Sequence, residues 1–345
     1  MNTTVLTVPA AAAAIPKANF DWLPIALVGV LMLAGWPLVG STSTWLTLTM
    51  AGLAMGMIIF IIASGLTLVF GLMDVLNFGH GVFIALGAYL ATSVLAAMSG
   101  WTTSTELWRN LVPMFATMVV AMALAGAVGW AFERVLVRPV YGQHLKQILI
   151  TMGGMIIGEE LIKVFWGPTP IPIEMPEALR GVMTFAVGGE SAAFEKYRLF
   201  ATLVGAIVLV VMLFTLNRTK LGLLIRAGVQ DREMVESLGY RIRRLFVGVF
   251  VAGSALAGLG GALWGIYQHG VTPQIGSHVN VLIFIVIIIG GLGSTMGCFI
   301  GALLIGLLAN YTGFVAPKVA MFSNIGLMVL VLLWRPQGLY PVANR

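Results

Sequence analysis

The chain has 345 residues, of which 59% are apolar even without its 42 glycines, and only 9% are charged. A soluble domain has about 45–50% apolar residues with glycine included, and about 25% charged residues. So few charged side chains cannot cover so much apolar surface in water, which excludes a soluble globular enzyme, a nucleic-acid-binding protein and a disordered chain. The composition therefore predicts an all-α polytopic membrane protein.

Residues 1–21 are predicted to be an N-terminal tail, because a secretory signal needs basic residues before its apolar stretch and none precedes Lys17. The tail is followed by a single transmembrane domain over residues 22–340 and a C-terminal tail, 341–345. Apolar stretches of about 20 residues, the length that crosses a bilayer, predict eight spans. They lie near residues 22–39, 46–72, 81–98, 111–132, 147–166, 199–216, 245–267 and 318–334.

The basic residues predict the orientation of these spans. Most of the 19 Lys and Arg residues lie in the two tails and in the loops 133–146 and 217–244. The positive-inside rule places these segments in the cytoplasm and accounts for the net charge of +6. Both termini are then cytoplasmic, and the proline-rich loop 167–198 lies outside.

Residues 281–312 do not fit a simple crossing. As one helix they would run about 48 Å, which is too long for a hydrocarbon core of about 30 Å, yet they are too short for two full crossings. A helix-breaking sequence lies in their middle: Gly290-Gly291-Leu292-Gly293-Ser294. We therefore predict a re-entrant pair of short helices that enters and leaves on the outer side, with a break that is buried or lines a watery cavity.

A similar break lies between Gly71 and Gly81, where polar residues interrupt the apolar sequence. Aligning residues 77–80 with 291–294 also aligns 87–88 with 301–302, which indicates a weak internal repeat. Chance matches are common in glycine-rich membrane helices, so both interpretations stay open. If the repeat is real, the paired broken helices indicate a central transport site.

The polar residues at the two breaks are candidates for a translocation pathway: Asp74, Asn77, His80, Gly291, Gly293 and Ser294. Polar side chains at membrane depth are costly and tend to face a pathway or cavity. The alternative for the first three is a turn at the cytoplasmic interface, where water hydrates them.

Glu159, Glu160 and Lys163 form a second polar cluster, close to Trp166 at the predicted outer end of a span. Glu159 and Lys163 are i,i+4 neighbours on a helix and are predicted to pair. These side chains either extend outward to water, or Glu159 and Glu160 line an outer vestibule that meets a polar substrate.

Loop 217–244 predicts a short amphipathic helix. Asp231 is a good N-cap and Gly239 a good C-terminal stop. Met234, Val235 and Leu238 would form its apolar face. The span ends of the chain itself, the lipid surface or a soluble partner could cover that face, and the pattern does not choose among them.

Small residues recur every four positions at Gly253, Ala257 and Gly261. This spacing predicts close helix packing, within the chain rather than in a dimer.

The sequence has no motif for catalysis or nucleotide binding. Cys298 is the single cysteine, and the four histidines are scattered without metal-ligand spacing. The motifs G-x-x-x-x-G-K-[ST], G-x-S-x-G and H-E-x-x-H do not occur. We expect no enzymatic activity, metal or bound cofactor, so any energy from ATP must come from another chain.

Several motifs together point to one family: GLTLVFGLMDVLNFGHG (65–81), LGAYL (86–90), GGLGS (290–294), LWRPQGL (333–339), and Arg226 with Asp231 and Gly239. In these motifs the chain closely resembles the membrane permease subunits of bacterial branched-chain amino acid ABC importers. The NFGHG version is similar to the first of the family's two sibling permeases.

The resemblance implies a type II-like importer permease in the bacterial cytoplasmic (inner) membrane. It implies four kinds of partner: a sibling permease, two cytoplasmic ATPases that carry ATP-Mg, an external solute-binding protein and the lipid bilayer. Loops 99–110, 167–198 and 268–279 would meet the binding protein. Residues of loop 217–239 would couple to the ATPase: Arg226, Asp231, Met234, Val235, Leu238 and Gly239.

Two departures from the family pattern bear on coupling and on the solute. Val235 stands where many relatives carry Ala, and Glu159-Glu160 where relatives usually have neutral residues. The expected solute is a branched-chain amino acid or a related small polar compound such as urea, an amide or an organic acid. The alternative function is an ion-coupled secondary transporter or channel without an ATPase, which would use Glu159, Glu160 or Asp74 as its intramembrane carboxylate.

Overall fold

The computed structural model describes residues 21–187, 190–230 and 232–341. Among these residues are thirteen α-helices and four short strands. The helices are α1 (Leu23–Val39), α2 (Thr42–Met73), α3 (His80–Ala97), α4 (Ser99–Thr102), α5 (Leu107–Phe132), α6 (His144–Trp166), α7 (Lys196–Arg218), α8 (Lys220–Gln230), α9 (Arg232–Ser237), α10 (Ile242–Tyr267), α11 (Ile275–Gly290), α12 (Thr295–Val315) and α13 (Pro317–Trp334). The strands are β1 (Ile171–Pro172), β2 (Val182–Val187), β3 (Glu190–Glu195) and β4 (Gly270–Val271).

Every predicted span forms a helix, which confirms the polytopic helical fold. In the described ranges, α2, α3, α7, α10, α12 and the segment Leu107–Val140 are long and apolar enough to cross a bilayer. The helices α1 and α11 and the end of α13 are apolar but shorter. Helix α6 has 23 residues, enough for a crossing, and carries the charged residues Lys146, Glu159, Glu160 and Lys163.

Helix α10 lies at the centre and packs against α2, α3 and α5. Several of its closest contacts are made by backbone. A Cβ on Gly261 would lie 2.1 Å from the carbonyl oxygen of Ile84, and one on Gly65 would lie 2.3 Å from that of Gly253. Ala257, which lies between Gly253 and Gly261 on α10, is fully buried. The predicted stripe of small residues therefore packs inside the chain. This is expected in a membrane, where close contact rather than the hydrophobic effect holds helices together.

The loops sort to two ends of the bundle. Strands β2 and β3 form a hairpin in loop 167–198, and the Ala193 N–H donates to Thr47 Oγ1 at the start of α2 (3.2 Å). Strand β1 pairs with β4 directly before α11. Helix α7 then leads from this end to α8, about 34 Å away along its axis. The proline-rich start of the loop predicted irregular structure and gave no sign of the hairpin that follows.

Along the chain, the break between Gly71 and Gly81 is the first and the break at residues 291–294 is the second. The second break lies between α11 and α12, where Gly291 and Gly293 have left-handed backbone at φ 97° and 82°. Ser294 Oγ accepts from the Gly297 N–H (3.1 Å) and begins α12. Both helices extend beyond residues 281–312. The 21 residues of α12 rise about 31 Å, so this helix is long enough to cross the bilayer alone and is not the short helix predicted here. Helix α11 has 16 residues, and the re-entrant path of the pair stays a prediction.

The segment 335–341 closes the C-terminal end of α11. The Leu339 and Tyr340 N–H groups donate to the carbonyls of Ile289 (2.9 Å) and Gly290 (3.0 Å), which a helix end would otherwise leave unpaired. Arg335 Nη1 bonds Asp21 Oδ2 at 2.6 Å. That bond, together with the Leu23 N–H, holds the pKa of Asp21 below its usual range. The LWRPQGL motif therefore ties the start of α1 to the second break.

Gly261→Ala should lower the thermal stability of the purified protein, because its Cβ would meet a backbone oxygen that cannot rotate away. Overpacking of this kind costs about 1–3 kcal/mol. Gly248→Ala on the same helix is the matched control, since a Cβ there meets no atom within 4 Å. The melting temperature of each variant is measured in detergent, with size-exclusion chromatography to monitor unfolding. Equal melting temperatures for the two variants would contradict the assigned packing.

Candidate functional site

The chain is broken between α2 and α3 at residues 74–79. The Asp74 N–H donates to the Phe70 carbonyl (3.0 Å), and Asp74 has left-handed backbone at φ 54°. Aspartate is one of the few non-glycine residues that adopt this conformation readily. The turn therefore ends α2 on a polar residue and releases the next backbone groups from any helix.

Side chains of other helices satisfy these released groups. The Phe78 N–H donates to Thr151 Oγ1 of α6 (3.2 Å), and the Phe78 carbonyl accepts from Asn280 Nδ2 of α11 (2.9 Å). His80 Nε2 donates to the Ile62 carbonyl of α2 (3.2 Å). Irregular backbone at membrane depth needs such partners. We call Asn77, His80, Thr151 and Asn280 the polar junction.

The polar junction also holds buried polar atoms that have no hydrogen-bond partner among the described residues. They are both amide atoms of Asn77, Nδ1 of His80 and Oδ1 of Asn280. Asn77 and His80 are both fully buried. An unpaired buried polar group costs about 1–3 kcal/mol, so stability alone does not account for these residues. Atoms of this kind can take a polar ligand or find partners in a second conformation.

Aromatic rings close the junction on one side. Phe83 of α3 contacts Phe132 at the end of α5 (ring centroids 5.5 Å apart) and Phe250 of α10 (6.1 Å), and the His80 ring lies 6.2 Å from Phe83. An apolar wall of aromatic rings thus lies beside the polar atoms of the junction.

The structure divides the predicted pathway residues. The Asp74 side chain is 55% exposed, with Oδ2 at 3.8 Å from His144 Nε2, a position that fits the interface interpretation. Asn77 and His80 are fully buried, and their place on a pathway stays a prediction. The two breaks meet, because a Cβ on Gly71 would lie 2.9 Å from Gly293 Cα. The internal repeat itself stays a prediction.

The predicted pair of Glu159 with Lys163 is wrong. Lys163 Nζ bonds Glu160 Oε1 at 2.6 Å instead, because residues three apart on a helix are also within reach. The Glu160 side chain is 62% exposed. Glu159 Oε1 is buried without a partner among the described residues, and Glu159 lies on the same face of α6 as Thr151 and Met155.

A pocket of about 570 Å³ lies at the end of the bundle that carries loop 167–198. Strands β1 and β4 form one wall, and α11 forms another. Apolar side chains such as Trp264 and Val279 line it together with Gln268, His269 and His278. The sequence marked the two surrounding loops for docking but missed this pocket, since its residues come from segments about 100 positions apart along the chain. The single signal was a pair of histidines beside a span.

Loop 217–244 contains α8 and α9. Asp231, the predicted N-cap, lies outside the described residues, and Gly239 ends α9 with left-handed backbone at φ 86°, as predicted. The predicted apolar face is divided, because Val235 is 4% exposed whereas Met234 and Leu238 are 62% and 68% exposed. Val235 packs inward since α9 lies against α8 and α10.

Arg226 fastens α8 to α7. Its Nη1 donates to the Leu216 carbonyl (2.9 Å) and to Asn217 Oδ1 (3.4 Å) at the end of α7. The start of loop 217–244 is therefore bonded to the end of a span. Asn280 and Thr151 are the other residues that sequence reasoning missed, and a polar residue inside an apolar span was the available signal.

A family profile described as "Branched-chain amino acid transport system / permease component" matches residues 48–333. The permease protein BraD of Pseudomonas aeruginosa is 30% identical over 297 residues, which cover 84% of this chain and 93% of BraD. LivH of Escherichia coli K12 is 28% identical over 84% of this chain and 92% of its own length. LivM of the same strain is 27% identical over 92% of this chain and 75% of LivM. No solved structure matches the chain.

These relatives are all described as permease proteins of high-affinity branched-chain amino acid transport systems. The family consists of transport permeases and not of enzymes, and its match covers most of the helical region. The chain is a multi-pass membrane protein, and it belongs to the permease family of the branched-chain amino acid ABC importers.

Proposed function

We propose that this chain is one of two permease subunits of an ATP-driven importer and forms half of the pathway for branched-chain amino acids. The observation that carries the proposal is the family match over residues 48–333. The partners are a homologous sibling permease, two cytoplasmic ATPases that bind ATP-Mg, and an external binding protein. Loop 217–244 and both termini lie in the cytoplasm, on the positive-inside rule.

The pocket beside β1 and β4 supports an amino acid as the solute. We call it the outer pocket, because loop 167–198 at the same end of the bundle lies outside on the positive-inside rule. Its volume of about 570 Å³ is within the range of small-molecule pockets, about 300–1,000 Å³. Trp264, Ile275 and Val279 offer apolar surface to an aliphatic side chain, and His269 and His278 offer ring N–H groups to a carboxylate. No acidic residue is among the described lining residues to repel that carboxylate. Urea and short amides would leave much of this apolar surface unused.

The coupling route runs from loop 217–244 to the polar junction. Leu238 is exposed directly after α9, where an ATPase can cover it. Arg226 passes the movement to α7, and α9 also lies against α10. Helix α10 in turn contacts α2 at Gly65 and α3 at Ile84, on either side of the first break. Closure of the ATPase dimer thus shifts helices that hold the polar junction.

The polar junction is the element that changes state in this scheme. Asn77 and His80 have unpaired buried atoms in the present arrangement, and they gain partners when the flanking helices move or the solute passes. A switching element needs two arrangements of similar free energy. Unpaired polar atoms raise the free energy of the present arrangement and so bring it closer to that of the second arrangement.

An ion-coupled secondary transporter is the rival function. Among its predicted carboxylates, Asp74 and Glu160 are more than half exposed, which leaves Glu159 with its buried Oε1. The rival expects solute uptake by this chain alone under an ion gradient, whereas the importer needs ATP and its ATPases.

Reconstitution in proteoliposomes with the sibling subunit, the ATPases and the binding protein tests the proposal. Leucine, isoleucine and valine should stimulate ATP hydrolysis and accumulate only when ATP is present at the ATPases. If urea or an amide stimulated ATP hydrolysis and the branched-chain amino acids did not, the proposed solute would be wrong and the proposed importer would stand. If the isolated chain accumulated solute under an ion gradient without ATP, the importer proposal would be wrong and the chain would be an ion-coupled secondary transporter.

Asp231→Ala should reduce uptake and solute-stimulated ATP hydrolysis while the subunit still inserts in the membrane. Loss of an N-cap costs a helix about 0.5–2 kcal/mol, which would disorganise the short coupling helix. Asp231→Asn is the matched control, because asparagine is an equally good N-cap. Transport by Asp231→Ala at the wild-type rate would exclude this capping role.

Leu238→Glu should uncouple the ATPase, with uptake reduced about tenfold or more, because a buried unpaired charge at the docking surface costs several kcal/mol. Leu145→Glu is the matched control: Leu145 is 79% exposed at the same end of the bundle but outside loop 217–244. Uptake and ATPase stimulation are measured on assembled complexes. If both variants transport equally well, α9 is not the docking element.

Asn77→Leu should raise thermal stability and lower transport. The substitution keeps the side-chain shape and removes two unpaired buried polar atoms, a gain of about 1–3 kcal/mol. A purely structural amide would give the opposite stability change and a proportionate loss of activity. The test is melting temperature and uptake rate for the same preparation, and a less stable variant with normal transport would refute the switching role.

A further inference from the structure

An apolar groove of about 710 Å³ lies on the bundle surface between α7 and α10, with α8 at one end. Aliphatic side chains such as Val211, Met212 and Leu256 form its walls. Arg244 is the only charged residue among its described lining residues. The groove is separate from the polar junction and from the outer pocket.

The length of the groove matches one leaflet of a bilayer. Along α10 its lining runs from Arg244 to Leu259, a rise of about 22 Å. A leaflet with its headgroup region is about 20–22 Å thick. The end with Arg244 lies at the loop 217–244 end of the bundle, and Leu259 lies about one leaflet thickness farther along α10. The single charge therefore lies at headgroup depth.

The charges at this end select the headgroup. Arg244 is exposed and forms no ion pair with a described residue. Arg218 and Lys220 flank the α7–α8 turn, next to the lining residues Leu216 and Leu221. A guanidinium binds phosphate oxygens in a fixed geometry, and each basic residue near an anionic lipid surface contributes about fivefold in binding.

We propose that this groove binds one anionic phospholipid from the adjacent leaflet, with an acyl chain between α7 and α10 and the headgroup phosphate at Arg244. The occupant would lie between α8 of the coupling loop and the central helix α10. A helix of the sibling subunit is the competing occupant, and the experiment below separates the two. The proposal holds whichever solute the protein carries.

Photo-crosslinking of the purified, assembled complex tests it. Phosphatidylglycerol and phosphatidylethanolamine with the same diazirine-bearing acyl chain are supplied in detergent, and labelled peptides are identified by mass spectrometry. Peptides of α7 and α10 that line the groove should be labelled, about fivefold more strongly by phosphatidylglycerol. Arg244→Gln should abolish that preference, whereas Arg241→Gln, an equal charge change outside the groove lining, should keep it.

Gly248→Phe should reduce the labelling at least fivefold. Gly248 lines the groove and a Cβ there meets no atom within 4 Å, so the ring fills the groove without displacing backbone. Gly248→Ala is the matched control and should be labelled like wild type. If the Phe variant fails to assemble, Gly248→Leu is used instead and should also reduce the labelling. Unlabelled phosphatidylglycerol should likewise compete with the labelled lipid for the groove.

Three results would overturn the proposal. They are equal labelling by the two lipids in the wild-type complex, labelling that survives when the groove is filled, and crosslinks from a sibling helix to the groove peptides in place of lipid.

Discussion

The structure depends on one constraint: within a bilayer, backbone groups released by a broken helix must find partners inside the protein. At the first break, Thr151 and Asn280 supply those partners to the N–H and the carbonyl of Phe78. At the second, the N–H groups of Leu339 and Tyr340 complete the end of α11. Through these bonds α6, α11 and the C-terminal segment form one bonded unit with the breaks beside α2 and α3.

Close backbone packing holds the central helices of this unit together. Helix α10 contacts α2 and α3 at glycines, where backbone lies against backbone. Arg226 joins the coupling loop to α7 in a similarly direct way. A permease driven by a separate ATPase needs stiff connections of this kind, because the work is done far from the solute. The unpaired atoms of Asn77 and His80 lie where those connections converge.

Much of the fold was predictable, because membrane crossing imposes length and apolarity on each helix separately. The spans, the glycine-rich break at 290–294 and the inward packing of Gly253, Ala257 and Gly261 all followed from local pattern. The site was predictable only in part. Asn77 and His80 were singled out, whereas Thr151 and Asn280 were missed, and the Glu159–Lys163 pair was wrong because i,i+3 and i,i+4 partners compete on one helix.

The sequence by itself determined that this is a polytopic membrane protein with two broken helices and a basic loop, and its motifs indicated the permease family. Hydropathy and helix breaking act within a few turns of one segment, which is why they can be read without coordinates. Only the tertiary structure decided which polar atoms share the junction, that a pocket lies beside β1 and β4 and that an apolar groove ends at Arg244. Those features join residues from distant segments, and contacts between helices depend on rotation and register that no single segment specifies.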